Sequence, residues 1–157
     1  MRALLLVAHG SPRPEANEDV RKVAEAVRER LPDSLVSIGY LDCNEPEISV
    51  AVDQCVAMGA TEVVVVPYFL HSGRHLVRDI PRILEQSASQ HPAVSITMCD
   101  YVGHQPAMAN ILRDRAQPWW PVPVECCDRF GLYLRANAAT PLWHQEDAQP
   151  ELALVRL

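Results

Sequence analysis

No stretch of this sequence reaches the roughly 18 consecutive apolar residues of a membrane-spanning helix, and the apolar opening from Ala3 to Ala8 runs straight into His9 and Gly10. With no signal peptide to read there, the expected setting is cytoplasmic, without a membrane partner. The five cysteines are odd in number and show no C-x-x-C spacing, so they supply no disulfide framework and point to reduced thiols. An excess of positive charge is missing too. The formal net charge of −6 disfavours nucleic acid as a partner, and any anionic substrate has to be held by local arginines. The six glycines form neither G-x-G-x-x-G nor a P-loop, and there is no G-x-S-x-G elbow. Dinucleotide, nucleoside triphosphate and serine-hydrolase sites therefore lack support, and no organic cofactor is expected.

What is there is an ordinary globular balance, 48% hydrophobic and 22% charged over 157 residues, enough for one domain with a real core. Ala3–Ala8 reads as a strand buried on both faces. After the breakers of His9 to Pro14, Val20, Val23, Ala24, Val27 and Leu31 recur at helical spacing up to Pro32. Leu35–Leu41 reads as a second strand. Asn44 with Glu47 three residues on looks like a capping box, opening a helix that turns Ile48, Val52, Cys55 and Val56 inward and ends at Gly59. Glu62–Phe69, with four consecutive valines, reads as a third strand covered on both faces. Gly73 to Arg78 falls in a loop or irregular turn before a helix opened by Asp79-Ile80-Pro81. A fourth strand, Val94–Cys99, and a helix from about Ala107 to Arg115 complete a β-α-β-α-β-α-β-α order. Such alternation predicts a parallel, mainly four-stranded sheet with right-handed crossovers and helices on both faces. Residues 1–116 form this α/β domain. Residues 117–157, with Pro118-Trp119-Trp120-Pro121 and Cys126-Cys127, read as an irregular C-terminal extension of unknown role.

In a parallel sheet every strand ends on the same edge, where open α/β folds bind their ligands. That edge receives His9 after the first strand, Asp42 and Glu45 after the second, His71 and His75 after the third, and His104 after the fourth. Two imidazoles and a carboxylate suit divalent iron, cobalt, nickel or zinc, and so few protein ligands leave coordination positions open for chemistry. Asp42 and Glu45 compete for the acidic role, and Asp42 sits closer to the strand end. His91 reads as a surface residue at a helix end, and His144 belongs to the extension.

Leu5-Leu6-Val7-Ala8-His9-Gly10-Ser11, Tyr40-Leu41-Asp42-Cys43-Asn44-Glu45-Pro46 and the run from Val66 to Pro81 together resemble the short sirohydrochlorin chelatases of the CbiX/SirB type, over roughly residues 3 to 115. The resemblance implies a three-layer chelatase-like α/β fold and insertion of Co2+ or Fe2+ into sirohydrochlorin for cobalamin or sirohaem biosynthesis. It also implies a homodimer whose two short chains imitate the two halves of the longer class II chelatases. The metal site carries over as His9 and His75, with Asp42 where members of that family have glutamate, one methylene longer.

On this reading His9 and His75 are the catalytic pair. One of them, or Asp42, accepts the pyrrole protons as the metal enters the ring. Arg13, Arg74 and Arg78, with Ser11 and His71 beside them, surround the mouth for a polycarboxylate substrate. The ligand types suit cobalt, iron and nickel alike. The competing reading is a non-catalytic metal-delivery protein, with Cys126, Cys127 and His144 as a second, soft site.

Overall fold

Along β1 (Arg2–Ala8) the side chains of Ala3, Leu5 and Val7 enter one apolar cluster while Leu4 and Leu6 enter another. A strand apolar on both sides has to lie between two layers. In the computed structural model it does: β1 is central in a four-stranded parallel sheet of order β2-β1-β3-β4, with β2 at Ser34–Tyr40, β3 at Glu62–Pro67 and β4 at Ser95–Met98. Leu5 stands opposite Ser37 on one side and Val65 on the other. The structure describes residues 1–103 and 105–119, together with the pairs 133–134 and 154–155.

Helix α1 (Pro14–Arg30) covers one face, where Val20, Val23, Ala24 and Val27 pack with Leu6, Val36, Ile38 and Val66. Leu31, expected on that buried stripe, is instead the exposed C-cap. Helices α2 (Ile48–Ala57) and α3 (Ile80–Gln90) cover the other face. Ile48, Ala51, Val52 and Cys55 from α2, and Ile80 and Leu84 from α3, close over Ala3, Leu5, Val7, Val63 and Val65. Each Val, Leu or Ile fully removed from water in this layer contributes roughly 1.5–3 kcal/mol.

Two expectations change. β3 is not uniformly buried: Val63, Val65 and Pro67 are buried, whereas Val64 and Val66 are half-exposed. The strand also stops at Pro67. Tyr68 still donates its N–H to the Val7 carbonyl at 2.7 Å, but the chain then turns off, leaving Tyr68 exposed. The strands β1, β2 and β4 fall within one residue of their expected spans, as does α4 (Pro106–Ala116).

The chain divides into two compact units, Met1–Met108 and Ala109–Leu157. The first holds the sheet and α1 to α3. Helix α4 begins in the first and continues into the second, which also contains a short turn at Gln117–Trp119 and an antiparallel pair, β5 (Tyr133–Leu134) and β6 (Leu154–Val155), in a sheet of its own. His104, Cys126, Cys127 and His144 lie outside the described residues. No helix among the described residues is long and apolar enough to cross a membrane.

Candidate functional site

The parallel pairing of β1 with β2 does not stop where the strands do. Leu41 donates its N–H to the Ala8 carbonyl at 3.0 Å and Asp42 donates to the His9 carbonyl at 2.9 Å, so His9 and Asp42 leave the sheet side by side. Gly10 then passes so close to β2 that a Cβ there would sit 1.9 Å from the Asp42 carbonyl oxygen, and its φ of +89° belongs to the region that glycine tolerates. The loop beyond is tied down by Asn44, whose Oδ1 accepts the Ser11 N–H at 2.7 Å, and by the buried Asn17, whose amide donates to the Ser11 carbonyl at 2.8 Å.

This corrects the reading of Asn44 as a helix cap. Helix α2 starts after Glu47, with no side-chain cap bond, because the Asn44 side chain is spent across the loop on Ser11. Ser11 fastens this loop, its Oγ accepting the Arg13 N–H at 3.1 Å, and neither Ser11 nor Arg13 lines the cleft described below.

The second half of the edge is built differently. Gly103 approaches the Leu70 carbonyl so closely that a Cβ would lie 2.0 Å from its oxygen, and the Gly103 N–H donates to Phe69 at 2.9 Å. The loop after β4 is thereby clamped onto the loop after β3. The chain next enters a single π-helical turn, His75–Asp79, immediately ahead of α3, a local widening often found at functional sites. His71 stays exposed before this turn and outside the cleft.

Between the two halves lies a cleft of about 570 Å3 in which His9, Asp42, Arg74, His75, Arg78, Asp79 and Arg82 meet over Leu41 and Ile83. The rings of His9 and His75 have centroids 5.3 Å apart and stand nearly perpendicular, at 80°. Two imidazoles bound to one ion at about 2.0–2.1 Å, at a tetrahedral angle, have centroids about 5 Å apart. His75 Nδ1 lies 3.0 Å from Asp79 Oδ2, and His9 Nδ1 lies 3.3 Å from the Gly10 carbonyl oxygen. Both partners are acceptors, so in its neutral form each ring places its proton on Nδ1 and leaves the Nε2 lone pair for a ligand. Asp42 lines the same cleft, with its Oδ1 accepting the Cys43 N–H at 2.8 Å. No group of three or more His, Cys, Asp or Glu side chains among the described residues is spaced to hold a metal. Glu45, the competitor of Asp42, is exposed and outside the cleft.

Asp79 and Arg82 escaped the sequence reading. Asp79 was expected only to open a helix, yet it makes no cap bond. Partial burial works to raise its pKa, but hydrogen bonds from Arg78 and His75 and the charges of Arg78 and Arg74 outweigh that and hold its carboxyl below the usual range. The spacing of Asp79 four residues after His75, and of Arg82 four after Arg78, was the signal available in the sequence. His91 behaves as expected at a helix end: it is the C-cap of α3, and its Nε2 sits 2.7 Å from Asp53 Oδ1.

Residues 3–118 match the family model described as CbiX. A sirohydrochlorin cobaltochelatase of Methanococcus aeolicus is 44% identical over 84 residues, which is 54% of this chain and 59% of that protein. A sirohydrochlorin cobaltochelatase of Sulfolobus acidocaldarius is 35% identical over 117 residues, 74% of this chain and 91% of that one. Among solved structures, SirB from Bacillus subtilis with Fe3+ superposes with a TM-score of 0.71 at 28% identity, covering 76% of this chain and 47% of the SirB chain. The chain thus spans just under three fifths of the Methanococcus relative and about half of SirB.

Proposed function

Since the chain belongs to the CbiX family, we propose that it inserts a divalent metal, Co2+ or Fe2+, into sirohydrochlorin, a step on the way to cobalamin or sirohaem. The observation that carries this reading is the pair of imidazoles 5.3 Å apart, with both Nδ1 atoms engaged, in a cleft that also gathers three arginines. A chelatase has to hold its metal loosely enough to release it. Two neutral imidazoles are adequate ligands, and the remaining positions stay open for water and then for pyrrole nitrogens. A storage or delivery protein would be served better by a closed set of three or four ligands.

Insertion replaces two pyrrole N–H protons by one dication. His9 and His75 present the metal through Nε2 to one face of the macrocycle. Asp42, in the same cleft, places negative charge beside the cation and accepts a proton released by the ring. The next proton passes to an imidazole as the metal leaves it, since the vacated Nε2 lone pair is then free. Leu41 and Ile83 offer apolar surface to the flat ring, and Arg74, Arg78 and Arg82 take carboxylates of its rim. This moves the role expected of Arg13, Ser11 and His71 onto Arg82.

Cobalt is named for the archaeal relatives and Fe3+ accompanies the SirB structure. Nickel suits the same imidazole ligands. The proposal needs no organic cofactor. A homodimer, as in the short chelatases that the sequence resembles, and a cytoplasmic setting belong to the same proposal, and the spacing of the five cysteines fits reduced thiols.

The test is direct. Purified protein mixed with sirohydrochlorin and either Co2+ or Fe2+ should shift the visible spectrum to that of the metallated ring. His75→Ala should lower the rate by at least about 100-fold while the far-UV circular dichroism stays unchanged. A His75→Ala protein with undiminished turnover would remove the assignment.

A further inference from the structure

We propose, resting on the chelatase reading, that Asp79 is a positioning residue that sets both the metal-binding histidine and the substrate-binding arginines through one carboxylate. Its side chain is only 16% exposed, and each oxygen is in use. Oδ2 lies 3.0 Å from His75 Nδ1 and 3.4 Å from Arg74 Nε, and Oδ1 lies 3.1 Å from Arg78 Nε. All three neighbours line the cleft, as Asp79 itself does.

An ionised carboxylate can only accept, so His75 is held with its proton on Nδ1 and its lone pair on Nε2. A ring flip about Cβ–Cγ would break that bond. Such outer partners fix the tautomer and orientation of metal-binding histidines and raise their basicity. On the other side, Asp79 occupies the Nε edge of both guanidinium groups. Their terminal nitrogens, engaged by no other described residue, remain for carboxylates of the substrate. One residue therefore couples the site of the cation to the site of the anions.

The plainer role, starting α3, is weak. Asp79 already has helical backbone angles and gives no cap hydrogen bond, and Pro81 follows in the first turn. Removal of the carboxylate leaves α3 with its own start signals.

The experiment uses the full chain, with Asp79→Ala, Asp79→Asn and His75→Ala compared with the parent. Co2+ affinity is measured without tetrapyrrole, by calorimetry or by the visible absorption of bound Co2+. The kcat and the KM for sirohydrochlorin are measured separately. Asp79→Ala should weaken Co2+ binding by about 10–100-fold, the usual size of losing such an outer partner, and should raise KM. Asp79→Asn keeps an amide oxygen to accept from His75 but has no charge for the arginines. It should hold Co2+ within about threefold of the parent while KM still rises severalfold.

A role confined to helix stability would lower the melting temperature and produce no such split between the two variants. Parent-like Co2+ affinity and KM in Asp79→Ala would overturn the proposal. Co2+ binding as weak in Asp79→Asn as in Asp79→Ala would overturn the part that concerns the histidine. If the parent binds Co2+ but never metallates sirohydrochlorin, the chelatase reading fails on its own, and the Co2+ titrations still decide whether Asp79 governs His75.

Discussion

The rings of His9 and His75 stand 5.3 Å apart, yet the two halves of the cleft hold them by different means. Around His9 the work is done by main chain: the Asp42 N–H on the His9 carbonyl, and Gly10 pressed against the Asp42 carbonyl. The nearest acceptor to its ring nitrogen is the adjacent Gly10 carbonyl at 3.3 Å. The other half has a backbone clamp too, Gly103 on the Leu70 carbonyl, but the His75 ring itself is set by side chains, with Asp79 gathering the imidazole and two arginines on a π-helical turn. Geometry set by backbone is lost when a side chain is added. Geometry set by side chains is lost when a charge is removed.

The largest effect should come from breaking the backbone half. Gly10→Ala forces a Cβ to within 1.9 Å of the Asp42 oxygen in a left-handed conformation, which costs about 1–3 kcal/mol from the conformation alone. The overlap adds to it. The melting temperature should fall and turnover should collapse, because the residue next to His9 has to move. In the other half, nothing lies within 4 Å of a Cβ placed on Gly73. Gly73→Ala should melt within a few degrees of the parent and keep most of its activity. Equal tolerance at both positions, read by calorimetry and by the metallation assay, would erase the contrast.

The intermediate effect concerns the side-chain half. Arg82 lines the cleft one helical turn past Arg78 and, unlike Arg74 and Arg78, has no ion pair to Asp79 among the described residues. Arg82→Ala should therefore leave the metal end undisturbed. It should raise the KM for sirohydrochlorin by about three- to tenfold with little change in kcat, the signature of an interaction made equally in ground and transition states. A fall in kcat instead would mean that Arg82 acts on the reacting centre.

The same contrast explains what the sequence could and could not disclose. The alternation of strands and helices, the apolar periodicity of α1 and the burial of β1 follow from local pattern, and all of them appear at nearly the expected residues. His9, Asp42 and His75 also line one cleft, since a parallel sheet brings every strand end to one edge, but they do not form a group of three spaced to hold a metal. Legibility fails where a side chain has the type and spacing for one partner and takes another. Asn44 has the residue type and spacing of a cap, but the Ser11 N–H competes for it across 33 positions. Asp79 has the sequence of a helix start, but its neighbours in the π turn claim its oxygens. Ser11, Arg13 and His71 lie within four residues of a cleft histidine in sequence but are not among the residues that line the cleft.

The smallest effect probes the core that the two halves share. Cys55 of α2 is fully buried in the cluster that joins β1 and α2 to β3 and α3. Burial pushes its thiol pKa up, and a hydrogen bond with Ser37 only partly opposes that. In the unfolded chain the thiol ionises near pH 8.5, whereas in the fold it resists. Above about pH 8.5 the unfolded state therefore sheds a proton that the folded state keeps, and stability declines as pH rises toward the folded value. Cys55→Ala should be less stable than the parent at pH 7, having lost a packed sulfur, but its melting temperature should fall less steeply between about pH 8.5 and 10. Because the cluster spans both halves, that slope should be the same whether unfolding is followed by circular dichroism or by loss of Co2+ binding. Two different slopes would mean that the halves of the cleft come apart separately.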